Sequence, residues 1–268
     1  MKQATFVMRH LTVVTAMSMA AVMLSPAANA EITGNIGVYS KYVLRGITNV
    51  PETESPAVQG GLDYSHASGF YAGYWGSSLG YGTRGTAGAY TSTPTPTTPN
   101  GFESDIYGGY GFKAGPVDLS FGLIQYLYTQ ITDFDGTELV GSAGWGPVKG
   151  GFKYLLKDVG WGNKGDTYVT LDFKQALPAN FELNATLGYY LYEEGGEFIP
   201  VTPGVTTESS GFSHLDIKLS HALGAGASGA LGKTGFTPHV SLTYIVGGED
   251  RFGAQQDNAI VLALTTLF

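Results

Sequence analysis

The chain contains no cysteine, so its fold is held without disulfides, and neither thiol chemistry nor cysteine-type zinc ligation is open to it. Charge is scarce as well: Asp, Glu, Lys and Arg make up 13% of the residues. The 22 acidic residues outnumber the 14 basic ones, which excludes nucleic acid as an expected partner. Beyond the first thirty residues no run approaches the roughly 18 consecutive apolar residues of a membrane helix, so any crossing of a bilayer falls to strands. No residue grouping has metal-ligand spacing, no cofactor motif stands out, and no serine and histidine can be placed together as a nucleophile and base. The expectation is a chain without catalytic residues, cofactor or metal.

What is present is 40 glycines, 17 tyrosines and 14 phenylalanines, a β-rich composition whose surface does not everywhere face water. Lys2 and Arg9 precede an apolar stretch from Leu11 to Leu24 and the small-residue site Ala28-Asn29-Ala30. This layout predicts a signal peptide over residues 1–30 and a single domain over 31–268, in a disulfide-permissive, exported setting. An uncleaved anchor is the alternative, but the stretch is shorter than the roughly 20 residues that span hydrocarbon. Lys2 and Arg9 leave with the peptide, so 12 basic residues remain against 22 acidic ones, a formal charge of −10.

The rest of the chain alternates with period two. The clearest segment puts Phe181, Leu183, Ala185, Leu187, Tyr189 and Leu191 on one face and Glu182, Asn184, Thr186, Tyr190, Tyr192 and Glu194 on the other. A strand that reaches Glu194 is much longer than the globular average of about 5 or 6 residues. Comparable alternation begins at Ile32 and runs to Arg45, and recurs from Gly101, Val117, Val148 and Asp166. Weaker candidates lie at 56–64, 69–78, 137–145, 212–222, 236–246 and 257–268, and together these make twelve strands, an even number as bacterial barrels require. Connections near Ala67, Gly115, Pro147 and Ala179 are short, and those between them are longer, the asymmetry of periplasmic turns and outer loops. The connection from Ala222 to Gly235 breaks that rule. The expected fold is therefore all-β: an antiparallel, up-and-down transmembrane barrel of about 12 strands in the outer membrane of a Gram-negative bacterium. A soluble sandwich is the alternative, since alternation also arises when one sheet face is packed and the other solvated. Aromatics at strand ends favour the barrel, as Tyr39, Tyr42, Tyr71, Tyr74, Trp75, Tyr126, Tyr128, Tyr189, Tyr190 and Tyr192 would form interfacial girdles.

In such a barrel a charge facing mid-bilayer lipid costs about 2 to 4 kcal/mol for Lys or Arg, which sends charged strand residues inward. The expected lining is Lys41, Arg45, Lys113, Lys149, Lys153, Lys157, Lys174 and Lys218, with Asp63, Glu103, Asp105, Asp118, Asp166, Asp172, Glu182, Glu194 and Asp216. Lys149, Lys153 and Lys157 would make a rising ladder, either a track for anions or a structural ion-pair element with Asp166 and Asp172 as partners. His214 and His239 fall at opposite ends of neighbouring strands and are expected to be solvated lumen or interfacial residues and not catalytic ones. Gly108-Gly109-Tyr110-Gly111 sits inside a strand and leads into no helix, which favours close packing at the wall over a phosphate cradle. The Thr91 to Pro99 run reads as an exposed spacer.

The last strand places Ile260, Leu262, Leu264 and Phe268 on one face and ends on that phenylalanine. This resembles the C-terminal signal by which the barrel-insertion machinery recognises outer-membrane proteins. Gly37-Val38-Tyr39-Ser40-Lys41-Tyr42-Val43-Leu44-Arg45-Gly46-Ile47 and the following Pro56-Ala57-Val58-Gln59-Gly60-Gly61-Leu62-Asp63-Tyr64 resemble the TorF family of porins. Gly69-Phe70-Tyr71-Ala72-Gly73-Tyr74-Trp75 and Asp105-Ile106-Tyr107-Gly108-Gly109-Tyr110 extend the likeness. The resemblance implies a barrel surrounded by outer-membrane lipid and a channel for small hydrophilic solutes. The alternative is a non-conducting barrel acting as an adhesin or structural envelope protein through its 79–101 loop. Neither reading fixes a solute or a number of subunits.

Overall fold

The computed structural model of the protein describes residues 30–48, 54–80, 100–205, 207–223 and 236–268. The expected signal peptide, most of the 79–101 loop with its Thr-Pro run, and most of the Ala222 to Gly235 connection lie outside the described residues.

Twelve strands close into one antiparallel barrel in which every strand pairs with its neighbours in sequence and β1 pairs with β12. They are β1 Ala30–Tyr39, β2 Ala57–His66, β3 Phe70–Ser78, β4 Phe102–Ala114, β5 Val117–Thr129 and β6 Gly136–Trp145. The other half comprises β7 Val148–Leu155, β8 Thr167–Leu177, β9 Phe181–Leu191, β10 Ser210–Ala222, β11 Thr237–Gly247 and β12 Ala259–Leu267. Short turns with left-handed residues at Gly69, Gly115, Gly146, Ala179 and Asn180 join strands at one end. The longer connections gather at the other, the outer end, except that between β10 and β11, which falls at the end of the short turns. β10 carries one bulge, at Ser213 between Phe212 and His214.

The alternation resolves into an apolar outside and a polar inside. Ile36, Leu62, Ile106, Leu123, Leu171 and Leu262 are each about half exposed, and every other strand shows a large apolar side chain on the same outer face. Soluble monomers rarely expose an apolar patch beyond a few hundred Å², whereas this belt runs around the whole barrel. A soluble sandwich is thereby excluded. Among the described residues no helix is long and apolar enough to cross a membrane.

Two expectations about strand ends are corrected. β1 stops at Tyr39 and β9 at Leu191, so the alternation read through to Arg45 and Glu194 overruns the ladder. The tyrosine girdle is also revised: Tyr74 and Tyr189 face outward, but Tyr39, Tyr42, Trp75 and Tyr126 are buried inside, and Tyr128 and Tyr190 share inner faces with Tyr126 and Thr186. A tyrosine ring buried in the lumen also carries a hydroxyl that serves buried charges, and the hydroxyls of Tyr126 and Tyr128 do so, on Glu138 and Glu103.

Gly109 follows the packing reading of its glycine run. A Cβ there would meet the Tyr71 hydroxyl at 2.4 Å and the Phe121 carbonyl oxygen at 2.2 Å, so only glycine lets these strands close on the inward Tyr71 ring.

Candidate functional site

The connection after β1 turns into the barrel instead of away from it. Leu44, Arg45, Gly46 and Ile47 form a tight turn in which the Ile47 amide donates to the Leu44 carbonyl oxygen at 3.0 Å. Arg45 (φ 51°) and Gly46 (φ 79°) are both left-handed, as a type I′ turn demands of its two central residues. Glycine accepts this freely, whereas arginine is held there against a cost of about 1 to 3 kcal/mol. Gly46 is also required by space, since a Cβ would meet the His214 Cβ at 2.4 Å.

Arg45 is the centre of the site. Its guanidinium binds Glu138 of β6 through two parallel bonds of 2.9 and 2.7 Å, the planar fork geometry that suits arginine to a carboxylate. It also donates to the hydroxyls of Tyr190 of β9 at 2.9 Å and Tyr126 of β5 at 3.3 Å. Its charge lies 4.8 Å from the Tyr168 ring centre and 5.6 Å from that of Trp161. A loop between β1 and β2 thus reaches the far wall of the barrel. Tyr42 supports it by donating to Glu103 Oε2 at 2.6 Å, while Tyr128 donates to Glu103 Oε1 at 2.8 Å. The Ser213 hydroxyl at the β10 bulge donates to the Arg45 carbonyl oxygen at 2.5 Å.

Beneath the turn lies a cavity of about 70 Å³. Val43, Leu44 and Arg45 roof it, and Lys149, Lys153, Asp172, Thr186, Asp216 and Lys218 are among its walls. Asp172 accepts from the hydroxyls of Thr186 at 2.8 Å and Thr170 at 3.2 Å. His214 Nε2 lies 2.6 Å from the Tyr168 hydroxyl and Nδ1 lies 2.7 Å from Asp216 Oδ1. His214 lies on the lumen wall as expected, but at 2% exposure, with His239 at 4%, the two rings are buried and not solvated. Burial is tolerated because each ring nitrogen in contact has a polar partner. The two do lie at opposite ends of the strand pair, since His214 faces Gly247 and His239 faces Ala222.

Gly188 makes the room for this His214 arrangement, as a Cβ there would sit 2.5 Å from His214 Nε2 and 2.8 Å from the Tyr168 hydroxyl. Gly188→Ala is therefore expected to cost about 1 to 3 kcal/mol by overpacking. Denaturant unfolding of the folded barrel measures it, and a loss no larger than that of Ala185→Gly would argue against a tightly fixed ring.

The structure distributes the expected lining residues unevenly. Asp63, Glu103, Asp105, Lys113, Asp118, Lys149, Lys153, Asp172, Lys174, Glu182, Asp216 and Lys218 sit on inner strand faces. Several are paired: Lys113 with Asp118 at 2.6 Å at the inner mouth, Lys174 with Glu182 at 3.0 Å, and Asp63 with the Tyr107 hydroxyl at 2.5 Å. Arg45 points inward, but from a turn and not from a strand. Lys41, Lys157 and Glu194 are exposed beyond the ends of β1, β7 and β9, where no wall directs them inward. Asp166 lies at the outer rim just before β8, bound by Arg251 and by the amides of Asn163 and Glu193 at 2.8 Å each. Burial pushes the Asp166 carboxyl above the usual carboxylate range although Arg251 beside it pulls the other way.

The three-lysine ladder is therefore shortened to Lys149 and Lys153. Lys149 faces Asp172 in the strand register, as one of the expected pairings had it, while Asp166 is taken by Arg251. The sequence reading missed Glu138 and Arg251. β6 has small residues at Gly141, Ser142, Ala143 and Gly144, which weaken its alternation and hide the inward direction of Glu138.

The model of a family described as a bacterial protein of unknown function, Gcw_chp, matches residues 24–206 of the chain. Among curated proteins no sequence matches it. Similar solved structures include the KdgM porin, with a TM-score of 0.48 and 7% identity over 88% of this chain and 98% of that one. The NanC porin gives 0.46 and 11%, over 89% and 99% of the two chains. The outer membrane protein opdK from Pseudomonas aeruginosa gives 0.38 and 12%, over 81% and 58%. Likeness this distant adds nothing to what the strand ladder itself shows.

Proposed function

The chain belongs to the Gcw_chp family of bacterial proteins of unknown function, and from its barrel we propose that it is an outer-membrane channel for passive diffusion of small hydrophilic solutes in a Gram-negative bacterium. The observation that carries this is the pairing of an apolar belt on all twelve strands with an interior lined by charged and hydroxyl side chains. A hydrocarbon layer suits the first and a watery passage the second. The resemblance of β1 to β4 to the TorF porins supports the same reading. The Arg45 turn projects into the interior above a cavity of about 70 Å³, room for only a few waters, which favours small solutes.

The same turn favours a second reading, a barrel without conduction that serves the envelope as an adhesin or structural element, because Arg45 and its partners fill the outer half of the interior. Conductance separates the two. Protein lacking residues 1–30, refolded and added to a planar bilayer, is expected to give discrete small steps in potassium chloride. Absence of steps from a preparation that runs as a folded, heat-modifiable band would favour the non-conducting barrel.

A further inference from the structure

We propose that residues 41–48 are a plug, latched by Arg45 to Glu138, that leaves the lumen while the twelve-strand ladder stays closed. The proposal deepens the channel reading by naming what closes the outer end at rest.

The ladder does not depend on this segment. β1 and β2 pair from Ala30–His66 to Tyr39–Ala57, and the seam with β12 runs from Asn35 to Tyr39, so withdrawal of residues 41–48 breaks none of those pairings. Most of the bonds that hold the tip are polar. They are the Arg45 fork on Glu138, its bonds to the Tyr190 and Tyr126 hydroxyls, the Tyr42 hydroxyl on Glu103, the Ser213 hydroxyl on the Arg45 carbonyl, the Thr48 amide on Gln256 Oε1 at 3.0 Å, and the Thr48 hydroxyl on the Asp257 carbonyl. Such groups exchange protein partners for water at small net cost, and a buried ion pair returns little more than its desolvation took. Arg45 also leaves a left-handed conformation when the turn opens, which favours release. What opposes release is apolar. Tyr42 packs with Ala57, Trp75, Leu79 and Ile131, and Leu44 joins that cluster, so the inserted state is the resting one. Because Val43, Leu44 and Arg45 roof the cavity, their departure opens it toward the outer end.

Hydrogen exchange on the refolded barrel tests this without requiring conduction. The Ile47 and Thr48 amides are expected to exchange together and faster than those of Ile36 and Val38. In Arg45→Ala and in Glu138→Gln, exchange over 41–48 is expected to rise about tenfold or more while the strands stay protected. The double variant should add little, since both changes release one latch. The charge swap Arg45→Glu with Glu138→Arg should slow exchange again relative to either reversal alone. Unchanged exchange over 41–48 in both single variants overturns the plug. Should either variant fail to fold, Tyr42→Phe and Ser213→Ala each remove one hydroxyl from the latch, and exchange over 41–48 that stays at the parent rate in both overturns it equally. Conductance of the same variants then reports on the channel. Faster exchange with larger steps supports both readings, and faster exchange with no steps in any variant leaves the plug standing and removes the channel.

Discussion

Leu187→Arg is expected to lower the stability of the folded barrel by about 2 to 4 kcal/mol, the cost of a guanidinium on the lipid face near mid-bilayer. Leu187 sits near the middle of β9, is 40% exposed on the outer face, and lies between Leu171 of β8 and Leu215 of β10. Arginine at the adjacent position meets the opposite environment. Thr186 lines the cavity and donates to Asp172 at 2.8 Å, so Thr186→Arg loses one hydrogen bond, about 1 kcal/mol, and gains two carboxylates, Asp172 and Asp216, within the same wall. Urea unfolding of vesicle-embedded protein, followed by the heat-modifiable band, compares the two. Equal losses would overturn the assignment of lipid and lumen faces, because the two residues differ only in which side of one strand they occupy.

Deletion of Phe268 is expected to reduce outer-membrane assembly severely. The Phe268 amide donates to the Gly34 carbonyl oxygen at 3.0 Å and its carbonyl accepts from the Gly34 amide at 2.7 Å, a reciprocal pair that extends the seam where the first and last strands close the barrel. The ring packs 5.4 Å from Phe236 and lies over Gly34, where a Cβ would come within 2.4 Å of it. We propose that Ile260, Leu262, Leu264 and Phe268 also form the signal read by the barrel-insertion machinery, since the three aliphatic residues are outward and about half exposed and Phe268 follows them. Two variants separate these roles. Gly34→Val crowds the ring and strains the seam but leaves the terminus intact, so it should slow folding in detergent as well as in cells. Deletion of Phe268 that fails in cells yet refolds normally in detergent supports recognition. Normal yield of folded protein in cells after the deletion would rule the signal out.

The barrel was legible because its evidence is local. Phe181 to Leu191 shows the principle: each step along a strand reverses the side chain, so apolar and polar residues in strict alternation already assign two faces before any neighbour is known. Twelve such segments with short and long connections in turn imply a meander, and the observed pairing order follows it. Reading stopped being reliable at strand ends. Nothing in Tyr39 to Arg45 announces that the ladder ends at Tyr39, since alternation continues past it, and Gly46 is the lone mark of a turn.

By itself, then, the sequence determined the strand number, their lipid and inner faces and the meander, because period-two patterning and turn chemistry act over a few residues. Only the tertiary structure decided what fills the interior. Arg45 meets Glu138 across 93 positions of sequence and Tyr42 meets Glu103 across 61, and no periodicity encodes which inward group lies opposite which on a closed wall. Nor could it place the tyrosines, because a ring with a hydroxyl suits a lipid interface and a buried carboxylate equally well. Closure of the barrel brought Arg45 within reach of four strands at once, and the carboxylate of Glu138 together with the hydroxyls of Tyr126 and Tyr190 then gave its charge a buried place to rest.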